Sequence, residues 1–318
     1  MSASNALLSV EDADAIKLDL LMFQINAYVA AGCMFFVVFN MVLLSTNKNF
    51  VKQYKILIAL NIADIILITS IFLEGITRKG LYSNILATKT KRVVSSRDCI
   101  ELWNVVQVYG DFSMPLIELT MGIERFAAVM FPSFYRNKWK RSSLYLIILS
   151  FVFAAMATGI PAVISFIWPK PNVAYLCGRK AALGRFIGIF DYAFNVIVIS
   201  TALALNVATC LKAMKIRQSR INIYKIKCYT GVAFLSMILV SIPNLISIAS
   251  TTMFNVPRIL LTPSPILTCI NGALQFFINF TLNLEFRRYC FDIITLDDNK
   301  NIVCILIVAS TCLAYFTI

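Results

Sequence analysis

The chain has 318 residues, of which 59% are hydrophobic and 14% charged, whereas soluble domains usually carry about 25% charged residues. This composition and the mean hydropathy of +0.78 exclude a water-soluble enzyme and indicate a membrane protein. The chain contains no histidine, which excludes Ser-His-Asp sites, Cys-His sites and His-bearing metal sites. Its net charge of +13 is scattered over short loops between apolar runs, which favours anionic lipid headgroups over nucleic acid as partners.

Seven apolar runs are long enough to cross a bilayer, which takes about 20 residues for a helix. Their apolar residues are continuous rather than alternating, which predicts helices and not the strands of a barrel. We therefore expect an all-α membrane protein, a seven-transmembrane helix bundle over 22–285. The predicted spans lie near 22–45, 55–77, 101–130, 143–168, 185–211, 228–253 and 263–285.

The segments outside these spans are predicted from their charge and hydropathy. Residues 1–21 carry four acids and no signal-peptide pattern, so we expect an extracellular N-terminal segment. Residues 286–300 are predicted to be a juxtamembrane cytoplasmic tail. The apolar run 301–318 has three interpretations: an eighth span, an interfacial segment, or an appended segment with no role in the fold. Loop charge supports this orientation weakly, because the first outer loop carries six Lys and Arg residues against the positive-inside rule.

Charged residues inside the predicted spans are the main functional candidates. A charge in the bilayer is costly and normally faces the interior of the bundle. Asp64 falls near the middle of the second span, and Asp111, Glu118 and Arg125 follow at intervals of seven in the third. This spacing places the last three on nearly one face of a helix. We therefore expect the third helix to lie at the centre of the bundle.

Three motifs resemble those of the rhodopsin-like G-protein-coupled receptors. They are Asn40 in the first span, Leu60-x-x-Ala63-Asp64 in the second, and Glu124-Arg125-Phe126 followed by Pro132 at the end of the third. The context of Phe126-Ala127-Ala128-Val129 and Phe131-Pro132 is more similar to nematode serpentine chemoreceptors, of the Srx-like branch. The seventh span departs from the family pattern, since Gln275-Phe276-Phe277-Ile278-Asn279 stands where Asn-Pro-x-x-Tyr is expected.

The resemblance implies a mechanism of activation. Glu124 and Arg125 would pair at rest, and Arg125 would turn towards a heterotrimeric G-protein when the sixth helix swings about Pro243. The residues implied in activation and coupling are Asp64, Glu124, Arg125, Phe126, Pro132 and Pro243. Two basic clusters on the inner loops would dock the G-protein or contact phospholipid. They are Arg136, Lys138, Lys140 and Arg141 in the second loop, and Lys212, Lys215, Arg217, Arg220, Lys225 and Lys227 in the third.

Two cysteines differ from the others, which mostly fall in apolar spans. Cys99 precedes the third span and Cys177 follows the fourth, both on the oxidising side under this topology. The resemblance implies a disulfide between them, which would hold the second outer loop over the bundle. Cys290 lies beside Arg287-Arg288 and is either palmitoylated or a free juxtamembrane thiol.

We expect the ligand site in the outer half of the bundle, where polar groups converge in an apolar cleft. The candidates are Glu74, Asp111, Asp191, Tyr109 and Tyr192. Asp111 and Asp191 suit a cationic or hydrogen-bond-donating ligand, although paired structural carboxylates are an equal alternative. Neither cofactor nor enzymatic activity is expected.

These patterns predict a chemosensory receptor for small molecules or odorants in the plasma membrane, with sensory cilia as one location. The alternatives are a proton- or cation-coupled transporter, since intramembrane acids also serve as proton relays, and a ligand-gated channel. The transporter would need repeated halves with broken helices, and the span count is odd.

Overall fold

The computed structural model describes residues 6–7, 10–91, 94–135, 142–171, 173, 177–216, 220–252 and 262–295. The predictions on Arg136, Lys138, Lys140, Arg141, Arg217 and 296–318 lie outside the described residues. Within them the chain is almost entirely helical, and one short antiparallel pair joins β1 (Ala6–Leu7) to β2 (Thr90–Lys91). The prediction of an all-α membrane protein is confirmed.

The first to fifth spans correspond to five long helices. They are α1 (Val10–Thr46), α3 (Lys55–Thr88), α4 (Leu102–Met130), α6 (Ser142–Ile167) and α8 (Arg185–Lys215). The sixth span is α9 (Arg220–Ser236), a π turn (Met237–Ser241) and α10 (Ile242–Thr252), and the seventh is α11 (Ser264–Leu282). The described residues also form four shorter helices: α2 (Lys48–Gln53), α5 (Pro132–Phe134), α7 (Arg179–Ala182) and α12 (Leu284–Thr295).

Helices α1 and α3 are longer than the predicted spans. Helix α1 begins at Val10, and Ile16 near its start packs with Tyr82 and Ile85 near the end of α3. The start of α1 and the end of α3 therefore stabilise each other by burying apolar side chains. A search for apolar runs does not detect this contact, because the two segments are far apart in sequence.

Helix α4 occupies the centre of the bundle, as its charge pattern predicts. It packs against α3, α6 and α8 and also touches α9. Six helical segments of the described chain are long and apolar enough to cross a membrane, and α4 is not among them. Protein rather than lipid surrounds its polar side chains: Glu118 is fully buried and Glu124 is nearly so.

The disulfide between Cys99 and Cys177 is confirmed. It joins the segment before α4 to the segment before α7, so both lie over one end of the bundle. We call this the disulfide end, and the opposite end, where Arg125 lies, the Arg125 end. The backbone of Val173 also pairs with that of Val94, which ties the same two segments together a second time.

Gly110 lets the central helix approach α3 at backbone distance. A Cβ on Gly110 would lie 2.9 Å from both the Cα and the Cβ of Leu67, which is closer than such atoms pack. We expect Gly110→Ala to lower the stability of the bundle by about 1–3 kcal/mol through overpacking. The measurement is the thermal unfolding midpoint of the purified chain in lipid nanodiscs.

Gly32 in α1 provides the matched control, because a Cβ there would meet nothing within 4 Å. The Gly32→Ala chain should unfold at the wild-type midpoint. Equal midpoints for the Gly110→Ala and Gly32→Ala chains would contradict the close approach of α3 and α4.

The sixth span is broken by a wide turn immediately before its proline. Met237–Ser241 form the π turn, and Pro243 is the second residue of α10. Proline lacks an N–H, and its ring clashes with the carbonyl of the preceding turn in a regular helix. A π turn opens the helix at this point, so it accommodates the proline that the sequence marks as a kink.

Candidate functional site

Three charged side chains meet at the disulfide end. Nη1 of Arg179 donates a hydrogen bond to Asp191 at 2.7 Å and a second one to Asp111. Asp191 also accepts a hydrogen bond from Asn195 at 3.3 Å. We call Asp111, Asp191 and Arg179 the outer triad. It brings together the two acids that the sequence proposes for ligand binding, but an arginine of the chain itself lies between them.

Arg179 is held in this position by its neighbours in sequence. It begins helix α7 two residues after the disulfide-bonded Cys177, and Ala181, Ala182 and Leu183 are buried beside it. Burial alone would lower the pKa of Arg179, but the negative charge of Asp111, with smaller contributions from other neighbours, raises it above its usual range. The guanidinium therefore stays charged.

The remaining ligand candidates take different positions. Tyr192 lies beside the outer triad, with Arg179 over its ring at 5.3 Å. Glu74 pairs instead with Arg78 at 3.1 Å and accepts a hydrogen bond from Gln107 at 3.2 Å. Tyr109 packs on the apolar cluster around the disulfide. The predicted set is thus divided between the triad, a neighbouring ion pair and the packing beneath the disulfide.

Two further bases lie near the triad, and both contact Thr251 of α10. Nζ of Lys180 donates to Oγ1 of Thr251 at 2.7 Å, and Nη2 of Arg185 donates to its backbone carbonyl at 2.9 Å. Partial burial and the positive charges of Arg179 and Arg185 lower the pKa of Lys180. Helix α7 and the start of α8 thereby contact the sixth span directly.

A buried polar network occupies the middle of the bundle. Glu118 of α4 accepts a hydrogen bond from Ser236, the last residue of α9, and Asn271 of α11 donates to the same Ser236 oxygen at 3.1 Å. Asp64 faces α11, where its Cβ would lie 3.5 Å from a Cβ on Gly272. Like the carboxylate of Glu118, that of Asp64 keeps one buried oxygen without a hydrogen-bond partner.

The first-span asparagine of the motif set has a structural partner. Nδ2 of Asn40 donates to Oδ1 of Asn61 at 2.9 Å, and Asn61 also donates to the backbone carbonyl of Leu57. All of these groups are buried. The bond therefore fixes α1 against α3 through polar atoms that the bilayer could not satisfy.

At the Arg125 end, the predicted pairing of Glu124 with Arg125 is wrong. Arg125 donates to the hydroxyl of Tyr229 on α9 at 3.2 Å and lies 4.6 Å from the centre of its ring. Glu124 instead accepts from the hydroxyl of Tyr135 at 3.0 Å. Neighbouring residues on a helix point about 100° apart, so the two side chains meet different partners. Phe126 and Pro132, the other residues of the motif, lie beside this contact in α4 and at the start of α5.

A second contact at the Arg125 end joins the sixth span to the segment between α1 and α3 and to α12. Lys225 lies 3.2 Å from Glu285 and donates to Gln53 at 2.7 Å. Its ammonium also lies over the ring of Tyr54, whose hydroxyl accepts from Asn283 at 2.8 Å. We call Lys225, Glu285 and Tyr54 the inner clasp. Together with the Arg125–Tyr229 contact, it holds α9 against the bundle.

Cys290 lies on the buried side of α12. It belongs to the same core cluster as Phe286 and Tyr54, and burial raises the pKa of its thiol to about 11. Palmitoylation needs an accessible thiolate, so this position favours the free thiol over a lipid anchor.

The sequence reasoning missed Arg179, Tyr229 and Glu285. The position of Arg179 could have been predicted, because the disulfide at Cys177 holds the residues that follow it over the end of the bundle. The positions of Tyr229 and Glu285 could not, because tyrosine and glutamate near the end of a span are ordinary interfacial residues.

Comparison with known proteins agrees with this arrangement. The family model described as "Serpentine type 7TM GPCR chemoreceptor Srsx" matches residues 30–295. A search of curated proteins finds no match for the chain. The resemblance to serpentine chemoreceptors is confirmed, and the matching branch is Srsx. Residues 30–46 of α1, the other six spans and the disulfide lie within the matched residues, and the chain belongs to the Srsx family of serpentine seven-transmembrane chemoreceptors.

Proposed function

We propose that this multi-pass membrane receptor binds a small molecule at its disulfide end and activates a heterotrimeric G-protein at its Arg125 end. The disulfide end faces the outside of the cell, where disulfides persist, and the Arg125 end faces the cytoplasm. The plasma membrane, and in sensory neurons the cilium, is the location that suits such a receptor.

The contact between Arg125 and Tyr229 is the observation that carries this proposal. It joins α4 to α9 by one hydrogen bond and one ring contact, at the end where the family motif lies. Arg125 is partly buried, and among the described residues its hydrogen bond goes to one tyrosine, so it can take a new partner once α9 moves away. The carboxyl terminus of a G-protein helix offers backbone carbonyls and a carboxylate, which are suitable acceptors for a guanidinium.

The inner clasp supports the same motion. Lys225 and Glu285 link α9 to α12 across the cytoplasmic surface, and this pair must separate before a partner enters between α4 and α9. Both contacts therefore belong to the resting arrangement. A ligand activates the receptor by binding the separated arrangement more tightly than the resting one.

Contacts at the disulfide end link ligand binding to the movement of the sixth span. Helix α10 carries Thr251, which Lys180 of α7 and Arg185 at the start of α8 both contact. Helix α9 carries Tyr229 below the π turn, which interrupts the stiffness of the sixth span. A ligand that changes the position of α10 therefore acts on the same continuous segment that holds the Arg125 contact.

The experiment that tests this function measures nucleotide exchange on purified G-proteins added to nanodiscs that contain the chain. Small-molecule odorants are screened for ligand-dependent exchange, and the Arg125→Ala chain is the uncoupled control. We expect exchange with the wild-type chain and little with the control. Ligand-dependent ion or substrate flux in the same nanodiscs, without any nucleotide exchange, would instead identify a channel or a transporter.

A further inference from the structure

The two acids at the disulfide end already share a cation of the chain. Arg179 contacts Asp111 and Asp191, and the disulfide two residues away holds it there. A tethered group competes at an effective concentration of about millimolar or more. A free amine would have to displace this arginine, so the outer triad is a poor site for a small cation.

Lys180 and Arg185, in contrast, have no acidic partner in the part of the chain that the structure describes. Within the described residues neither forms an ion pair, and the hydrogen bonds of both end on Thr251. The end of α10 at Thr251 supplies only about half of a negative charge through its free carbonyls. Two full positive charges therefore remain with less than one unit of compensation. Partial burial, with the positive charges of Arg179 and Arg185, lowers the pKa of Lys180.

Lys180 does not behave as a freely moving surface side chain. The stem of Lys180 lies against α8, where a Cβ on Gly188 would come within 2.7 Å of its Cγ. Its ammonium lies 5.5 Å from the centre of the Tyr192 ring. The position of Lys180 is thus set by a glycine and a tyrosine of α8 and by a threonine of α10, as in a built site.

We propose that Lys180 and Arg185, with the hydroxyl of Thr251, bind an anionic oxygen group, such as a carboxylate or a phosphate, of the receptor's ligand. This inference rests on the proposed receptor function and names the charge class of its ligand. Arginine forms paired hydrogen bonds with planar oxyanions, and lysine adds a point charge. An anion between Lys180 and Arg185 would accept the hydrogen bonds that these residues now donate to Thr251. Binding of the anion would therefore change the contacts of α10.

The test measures binding directly, by the thermal unfolding midpoint of the purified full chain in nanodiscs of phosphatidylcholine. The probes are benzoate and inorganic phosphate, with benzamide as the neutral and benzylammonium as the cationic counterpart of benzoate. Bound ligand raises the midpoint, and the stabilisation grows with the logarithm of the ligand concentration divided by its dissociation constant. We expect stabilisation by at least one anion and none by benzamide or benzylammonium.

Three variants assign that stabilisation to this site. Lys180→Gln and Arg185→Gln should each lower the affinity for the anion about tenfold or more, which is the loss expected for one charge-assisted hydrogen bond. Gly188→Ala should weaken it as well, because the added methyl group displaces Lys180 without removing charge. Lys79→Gln removes an equal charge from an exposed position at the end of α3 and should leave the affinity unchanged.

The source of the anion is resolved by changing the lipid. If nanodiscs with added phosphatidylglycerol stabilise the wild-type chain but not Lys180→Gln, and also prevent benzoate binding, a phospholipid headgroup occupies the site. If benzoate or phosphate stabilises the wild-type chain but not Lys180→Gln, and phosphatidylglycerol has no such effect, the ligand is a soluble acid. Each variant is first shown to unfold at the wild-type midpoint without added anion, or with a shift that is then subtracted.

The proposal is overturned if no anion and no anionic lipid stabilises the wild-type chain, or if benzylammonium stabilises it as well as benzoate. It is also overturned if Lys79→Gln weakens binding as much as Lys180→Gln. None of these measurements involves a G-protein. A receptor that couples to a G-protein without any anion site would therefore fail this test and still pass the test of its function.

Discussion

Replacing Arg179 with alanine is expected to destabilise the receptor by about 3–5 kcal/mol, the usual cost of removing one partner of a buried ion pair. The loss leaves Asp111 and Asp191 facing each other without a cation, in a site where the Asp191 side chain is 1% exposed. The low dielectric of the bundle makes their repulsion and desolvation severe. The thermal unfolding midpoint in nanodiscs and the fraction of chain at the cell surface both measure this effect.

Removing the acids together with the arginine provides the control. The triple variant Arg179→Ala, Asp111→Asn, Asp191→Asn carries no unpaired charge in the triad, and we expect it to recover most of the lost stability. The two-acid variant alone should be destabilised, because it leaves Arg179 unpaired. If the triple variant is no more stable than Arg179→Ala, the charges of the outer triad are not the reason for the loss.

The second large effect is expected at the Arg125 end, where two substitutions should change signalling in opposite directions. Tyr229→Phe keeps the ring and removes the hydroxyl that Arg125 contacts. A hydrogen bond to a charged group contributes about 1.5–3 kcal/mol, so its loss should raise ligand-independent nucleotide exchange about tenfold or more. Arg125→Ala should abolish exchange, because it also removes the donor that the G-protein would meet.

Basal nucleotide exchange on purified G-protein, normalised to the amount of folded receptor, measures both effects. Tyr224→Phe is the matched control, because it removes a hydroxyl from the same helix at a position where the side chain is partly exposed. It should leave basal exchange unchanged. A Tyr229→Phe chain that signals less than the wild type would mean that the contact belongs to the active arrangement and not to the resting one.

The arrangement of the spans was predictable from the sequence because the bilayer imposes it. Lipid cannot satisfy backbone groups, so each apolar run of sufficient length must be a helix. The same reasoning identified α4 as the central helix, since Asp111, Glu118 and Arg125 share a face that lipid would not tolerate. The disulfide followed from the family resemblance and not from spacing, which does not determine the connectivity of cysteines.

The contacts of the candidate sites were not predictable in the same way. The position of Arg179 depends on the path of a loop, and loops lack the periodicity that reveals a buried face. The inner clasp joins residues far apart in sequence, Lys225 and Glu285, whose helices meet only after the bundle has assembled. Glu124 and Arg125 are adjacent in sequence, which favoured the interpretation as a pair, whereas helix geometry directs them to Tyr135 and Tyr229.

The π turn at Met237–Ser241 has a consequence for the helical phase of the sixth span. A turn that holds one extra residue shifts the faces of the two helical halves by about 100° relative to an unbroken α-helix. The side of α9 that carries Lys225 and Tyr229 is therefore out of step with the side of α10 that carries Thr251. If these five residues returned to α geometry, α9 would rotate about its own axis, and Tyr229 would leave Arg125 without any change in the tilt of the helix.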